Sequence, residues 1–135
     1  MPNSQETSGA ASIRAGQPRI LIVDDDPVLQ TLLSAVLEKA GYLTRIVEDG
    51  ASAIGAAADC DLVLIDLHMP VMDGVEATRR IRNDAAASHV AIIAMSADQS
   101  TAQLERCRAA GIDEFLVKPF DLQILLEAVR RLVTR

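Results

Sequence analysis

The chain has 135 residues, half of them hydrophobic, which suits one domain with one sizeable core. With one Tyr, two Phe and no Trp, that core must be filled by Leu, Ile, Val and Ala. A formal charge of −6 argues against a non-specific nucleic-acid binder, which needs a basic face to neutralise phosphates, and no apolar run approaches the roughly 18 residues that span a bilayer.

Residues 1–17 are polar and small and hold no apolar block for export, so they read as a flexible tail ahead of a domain at 18–135. Arg19–Asp24 (RILIVD) is a buried strand. Asp26 then caps a helix with Pro27 at its first position, Leu29, Leu32, Leu33, Val36 and Leu37 recur at helical spacing, and Gly41 stops it. Leu43–Val47 is a second strand and Asp49–Asp59 a short Ala-rich helix. Asp61–Asp66 (DLVLID) is a third strand, apolar until it ends in acid. The loop His68–Asp73 carries Met69-Pro70, and Asp73 followed by Glu76 reads as a capping box opening a helix to about Arg82. After a polar loop, Asn83–His89, the run Val90–Met95 (VAIIAM) is a fourth strand. Asp98 or Ser100 opens a helix that Gly111 ends, and Ile112–Val117 is the fifth strand. Asp121 opens the last helix, whose apolar face is Leu122, Leu125, Leu126, Val129, Leu132 and Val133. Cys60 and Cys107 have neither zinc spacing nor nearby histidines and read as reduced, small hydrophobes in a cytosolic protein. Continuous apolar strands alternating with helices need cover on both faces, so the expected fold is α/β with a doubly wound parallel sheet.

In such a sheet, ligands sit beyond the carboxyl ends of the strands. Asp24-Asp25-Asp26 ends the first strand and Asp66 the third, while Ser96 follows the fourth and Lys118-Pro119 the fifth. Three carboxylates in one cleft repel one another and carry raised, coupled pKa values. Mg²⁺ relieves that repulsion and keeps room for a phosphoryl oxygen, and together with Lys118 it balances Asp24, Asp25 and Asp66. Transfer of an anionic phosphoryl group is mainly positioning and charge neutralisation. Asp66 stands alone at its strand end and is the better nucleophile, whereas the paired Asp24 and Asp25 suit a metal. Taken singly, each of these residues is more simply a solvated cap or loop side chain. Their joint occurrence after four different strands carries the argument.

These residues resemble the response-regulator receiver family, the CheY-like proteins, through ILIVDDD, LVLIDLHMPVMDG, IIAMSA and FLVKPF, over about residues 19–132. The resemblance implies a five-stranded, flavodoxin-like sheet of order 2-1-3-4-5. It implies that Asp66 is the phosphoacceptor, Asp25 a direct Mg²⁺ ligand, Asp24 a ligand through water, and the His68 backbone carbonyl a third protein ligand. Ser96 matches the hydroxyl that senses the phosphoryl group, Lys118 the site lysine, Lys118–Pro119 a cis peptide, and Phe115 the aromatic rotamer switch. His68 and Asp98 fall where members tune the lifetime of the phosphorylated state; for the His68 side chain a solvent-exposed loop position is the competing expectation. His89 is assigned nothing.

The expected role is therefore a regulatory phosphoacceptor rather than an enzyme, with a histidine kinase or histidine phosphotransfer protein as donor. A downstream protein would read the surface of helix four, strand five and helix five, where a phosphorylation-dependent dimer is a common family contact. No DNA-binding region follows Arg135, and Met1 with a polar tail reads as a natural start, which favours a stand-alone cytoplasmic regulator. MDGVEATRRIR and RCRAAGIDEFLVKPF keep a receiver excised from a hybrid histidine kinase as the alternative. A haloacid-dehalogenase-type phosphatase is disfavoured because His68 stands where its second Asp would lie.

Overall fold

The computed structural model describes residues 17–134. The expected tail, residues 1–17, lies outside these except for Gln17. The elements are β1 (Arg19–Val23), α1 (Pro27–Lys39), β2 (Leu43–Val47), α2 (Gly50–Ala56) running into a 3₁₀ turn (Ala57–Asp59), β3 (Leu62–Asp66), α3 (Gly74–Asn83), β4 (Ala91–Ser96), α4 (Thr101–Ala110), β5 (Glu114–Val117) and α5 (Leu122–Val133). All strand pairs are parallel, in the order β2-β1-β3-β4-β5.

The period-two alternation of a strand divides the core into two layers. Ile20, Ile22, Leu62 and Leu64 face one side and pack with Leu33 and Leu37 of α1 and Leu125 and Val129 of α5. Leu21, Val23, Val63 and Ile65 face the other and pack with Ala53 and Ala56 of α2 and Ala77 and Ile81 of α3. Cys107 and Ala110 of α4 meet Ala94 and Leu67 in a third cluster. Both cysteines are buried and free, and burial pushes the Cys60 thiol up to about 11, so the two act as small hydrophobes.

Side-chain caps fix where the helices begin. Asp26, Asp49, Asp73, Ser100 and Asp121 each accept a backbone N–H from the first turn of the helix that follows. The α4 alternative resolves to Ser100, while Asp98 accepts the Ser100 N–H at 2.9 Å and shapes the turn before it. Gly41 and Gly111 close α1 and α4 with φ of 103° and 99°, a region that penalises a Cβ.

Several expected boundaries move. β1 stops at Val23: the Asp24 N–H still reaches the Val47 carbonyl, but the Asp24 side chain turns back to accept the Asp26 N–H. β4 extends through Ser96, which is in register with Val117. β5 begins at Glu114 rather than Ile112, because the Ile112 N–H is used on the Cys107 carbonyl to close α4. The helix expected over 49–59 ends at Ala56 and tightens into the 3₁₀ turn. In the expected capping box Asp73 accepts the Glu76 N–H, but the Glu76 carboxylate is paired with Arg79 and Arg80 one turn along its own helix. Among the described residues no helix is long and apolar enough to cross a membrane.

Candidate functional site

The carboxyl ends of β1, β3, β4 and β5 converge on one acidic pocket. The ligand oxygens that Asp24, Asp25 and Asp66 can offer lie within 4.8 Å of one another. Asp25 is exposed, whereas Asp24 is fully buried and Asp66 nearly so. Lys118 reaches in from the end of β5, its Nζ 3.4 Å from Asp66 Oδ1 and 3.6 Å from Asp24 Oδ2. The Lys118 N–H donates to the Ser96 carbonyl, which extends the β4–β5 ladder to the lysine, and the Lys118–Pro119 peptide is cis.

Each carboxylate is held differently. Asp24 Oδ1 accepts the Asp26 N–H at 2.8 Å. Its Oδ2 is buried with no hydrogen-bond donor among the described residues, since 3.6 Å to Lys118 is ion-pair distance and too long for a hydrogen bond. Burial pushes the Asp24 carboxyl above its ordinary value; the Asp26 amide and Lys118 act against this, while Asp66 and Asp25 add to it. Asp66 Oδ1 accepts the His68 N–H at 3.1 Å, which fixes the plane of that carboxylate. An orphaned buried carboxylate oxygen beside two further carboxylates is the donor set of a hard cation, and the hardness and charge suit Mg²⁺.

Gly74 sets how closely α3 approaches the site. Its N–H donates to the Leu67 carbonyl, and a Cβ placed on it would lie 2.5 Å from the Asp66 carbonyl oxygen. The DG pair at the start of α3 therefore supplies both a cap and the space for β3 to end where it does.

Ser96 is fully buried, and its hydroxyl oxygen accepts the Asp98 N–H at 3.0 Å. The same oxygen lies 2.9 Å from His68 Nε2. The His68 residue is exposed, as a loop position suggests, yet its ring tip is fixed on a buried hydroxyl. Asp98 uses its carboxylate on the Ser100 N–H, and that bond holds its pKa low. Phe115 is half-buried against the cluster of Leu67, Val75, Ala94, Cys107 and Ala110.

Sequence reasoning missed Gln30, whose side-chain amide donates at 2.6 Å to the Asp24 carbonyl and ties α1 to the loop that carries Asp25. The one signal was a polar residue inside an apolar helical run, directly after Leu29 and one turn beyond the Asp26 cap.

A parallel sheet of this order, with acids, a hydroxyl and a lysine gathered at its carboxyl edge, defines a CheY-like α/β protein of the flavodoxin-like fold. The chain belongs to the response regulator receiver domain family, which it matches over residues 20–130. It is 35% identical over 120 residues to the DNA-binding dual master transcriptional regulator RpaA of Synechocystis, covering 87% of this chain and 50% of that protein. It is 34% identical over 121 residues to hybrid signal transduction histidine kinase M of Dictyostelium discoideum, covering 84% of this chain and 5% of that one. Among solved structures, the receiver domain of sensor histidine kinase PA1611 from Pseudomonas aeruginosa, with a magnesium ion coordinated in its active site cleft, aligns with a TM-score of 0.81 at 36% identity. That alignment covers 89% of this chain and 100% of the other. The chain thus spans half the length of the transcriptional regulator and a small fraction of the kinase.

Proposed function

We propose that the chain is the phosphoacceptor of a two-component or phosphorelay pathway, taking a phosphoryl group onto Asp66 from a histidine kinase or histidine phosphotransfer protein. One observation carries this reading: the Asp66 carboxylate stands among two other carboxylates and 3.4 Å from the Lys118 ammonium at the open end of the sheet. Asp24, Asp25, Asp66 and the His68 carbonyl would hold Mg²⁺, which when bound neutralises the acids and the phosphoryl oxygens.

This chain's own residues do the rest. An Asp66 oxygen attacks phosphorus, the new O–P bond forming as the N–P bond of the donor phosphohistidine breaks, and the imidazole nitrogen leaves with the electron pair. The His68 N–H keeps the Asp66 carboxylate oriented, and Lys118 balances the charge that arrives. Ser96 then donates its hydroxyl proton to a phosphoryl oxygen, and its movement lets Phe115 turn inward. That biases the α4–β5–α5 surface toward a protein partner, or a second copy, because the phosphoryl group interacts differently with the two states. His68 and Asp98 set how readily water reaches the acyl phosphate. The protein acts as a cytoplasmic regulator rather than an enzyme, its only chemistry being self-phosphorylation from small donors and its own dephosphorylation.

Treatment with acetyl phosphate and Mg²⁺ followed by intact mass measurement tests the assignment. One acid-stable, base-labile adduct is expected on the wild-type chain and none on Asp66→Asn. An adduct of equal yield on that variant would move the acceptor elsewhere. Ser96→Ala should still take the phosphoryl group but lose phosphorylation-dependent partner binding.

A further inference from the structure

We infer that the His68 ring is a latch on Ser96, an internal competitor that the phosphoryl group must displace before the switch can move. The inference rests on the phosphoacceptor reading of Asp66 and adds to it a role for the His68 side chain distinct from shielding against water.

The argument is one of hydrogen-bond capacity. A serine hydroxyl has one proton and two lone pairs. In this protein the Ser96 oxygen already accepts the Asp98 N–H at 3.0 Å. Ser96 is fully buried, so its own proton needs a protein acceptor, and His68 Nε2 lies 2.9 Å away. The imidazole can supply that acceptor with its proton on Nδ1, which the exposed position of His68 leaves free for water. Ser96 therefore donates to Nε2 in the resting state. A phosphoryl oxygen on Asp66 requires that same proton, so the two acceptors exclude each other.

The geometry makes the competition local. The His68 backbone N–H is on the Asp66 carboxylate while its ring tip is on the Ser96 hydroxyl. One residue thus touches both ends of the coupling step, and the ring bond must break for that step to proceed. The latch raises the phosphoryl occupancy needed to switch and suppresses switching in its absence.

The test is the affinity of the full chain for beryllofluoride at saturating Mg²⁺. His68→Ala should bind about three- to tenfold more tightly than wild type, the worth of one neutral hydrogen bond. In a Ser96→Ala background the same change should do nothing, because the bond it would release is gone. His68→Gln, whose side-chain oxygen has similar reach, should restore near-wild-type affinity. Independently of any bound group, long-range proton–nitrogen spectra of the metal-free chain with neutral histidines should show His68 protonated on Nδ1 in wild type. Unchanged or weaker binding by His68→Ala, an equal effect in the Ser96→Ala background, or a proton on Nε2 would each overturn the latch. A wild-type chain that takes neither beryllofluoride nor an Asp66 adduct would overturn the phosphoacceptor reading, and the latch with it.

Discussion

The two ends of the sheet each carry a cluster of charged side chains, balanced at one end and in acidic excess at the other. At the amino end, the Arg82 guanidinium donates to the carbonyls of Gly111, Ser88 and Val90 and pairs with Asp113 at 3.0 Å. The same Asp113 oxygen accepts the Ile92 N–H at 2.8 Å. At the carboxyl end, Lys118 stands 3.4 and 3.6 Å from two carboxylates, and a buried Asp24 oxygen has no hydrogen-bond donor among the described residues. The first cluster saturates its hydrogen bonds and locks the starts of β4 and β5 to the end of α3. The second leaves acidic charge uncompensated by the chain itself, which costs stability and, on the proposed reading, is what a cation and a phosphoryl group from outside would balance. Identical physics yields a staple at one pole and a site at the other. What differs is whether the partners are already on the chain.

The sharpest way to break this contrast is Arg82→Ala. It strips three carbonyls and a half-buried carboxylate of a common donor, and we expect a loss of about 3 kcal/mol in urea unfolding. Lysine at this position should recover little, because a point charge cannot replace the five-donor fork. Acetyl phosphate labelling of Asp66, measured where the variant is still folded, should stay near wild type. A variant of unchanged stability would show that the amino-end cluster is decoration.

Gly74→Ala tests the other pole. A Cβ 2.5 Å from the Asp66 carbonyl oxygen meets backbone, so the start of α3 or the end of β3 must shift. The expected cost is about 2 kcal/mol. Unlike Arg82→Ala it should slow Asp66 labelling at temperatures where the chain remains folded, since Asp66 itself is displaced. Equal labelling would mean that the close approach matters only to packing.

How much of this was legible in the sequence follows from where the partners lie. Strand positions, helix starts and the site acids were readable because each depends on neighbours in the chain: an acid at the end of an apolar run, a cap before its own helix. The strand order depends on distant pairings and came only from the family resemblance. The Arg82 staple was not, because a helix-ending arginine gives no hint that carbonyls at 88, 90 and 111 will surround it. His68 on Ser96 spans twenty-eight positions and was equally hidden. The strand ends shifted by one or two residues for a related reason. At Asp24 the Gln30 amide takes the carbonyl, and at Ile112 the closure of α4 takes the N–H, groups that a longer ladder would use. Expected repulsion among the acids was legible, but for Asp24 burial outweighs it.

Asp24→Asn asks whether the orphaned charge costs what the contrast requires. The Asp24 carboxyl is raised by burial. Between the ordinary carboxylate value and the raised one, the folded chain therefore binds more protons at this position than the unfolded chain does. Stability of the metal-free protein should then fall as pH rises through that window, and the deficit should persist above it. Asn keeps an oxygen for the Asp26 N–H and removes the charge. The metal-free variant should be more stable at neutral pH by on the order of 1 kcal/mol and lose the corresponding pH slope. Mg²⁺ binding should weaken at the same time. A variant less stable than wild type at neutral pH would mean that Lys118 already compensates the charge in full.

The smallest expected effect concerns Val71, in the loop between β3 and α3. It holds a φ of 72° and is fully exposed. A β-branched residue in the left-handed region costs about 1–2 kcal/mol, because its Cβ crowds the following carbonyl. No burial offsets that cost here. Asparagine tolerates this conformation, so Val71→Asn should raise stability by about 1 kcal/mol. If the strain is a local expense of turning the chain from Asp66 to the Asp73 cap, labelling of Asp66 should not change. If the gain in stability comes with slower labelling, the strain belongs to the site, as a loop held ready to move, and the carboxyl pole stores conformational as well as electrostatic energy. Equal stability of the two chains would show that the loop relaxes in solution and would confine the contrast between the poles to their charges.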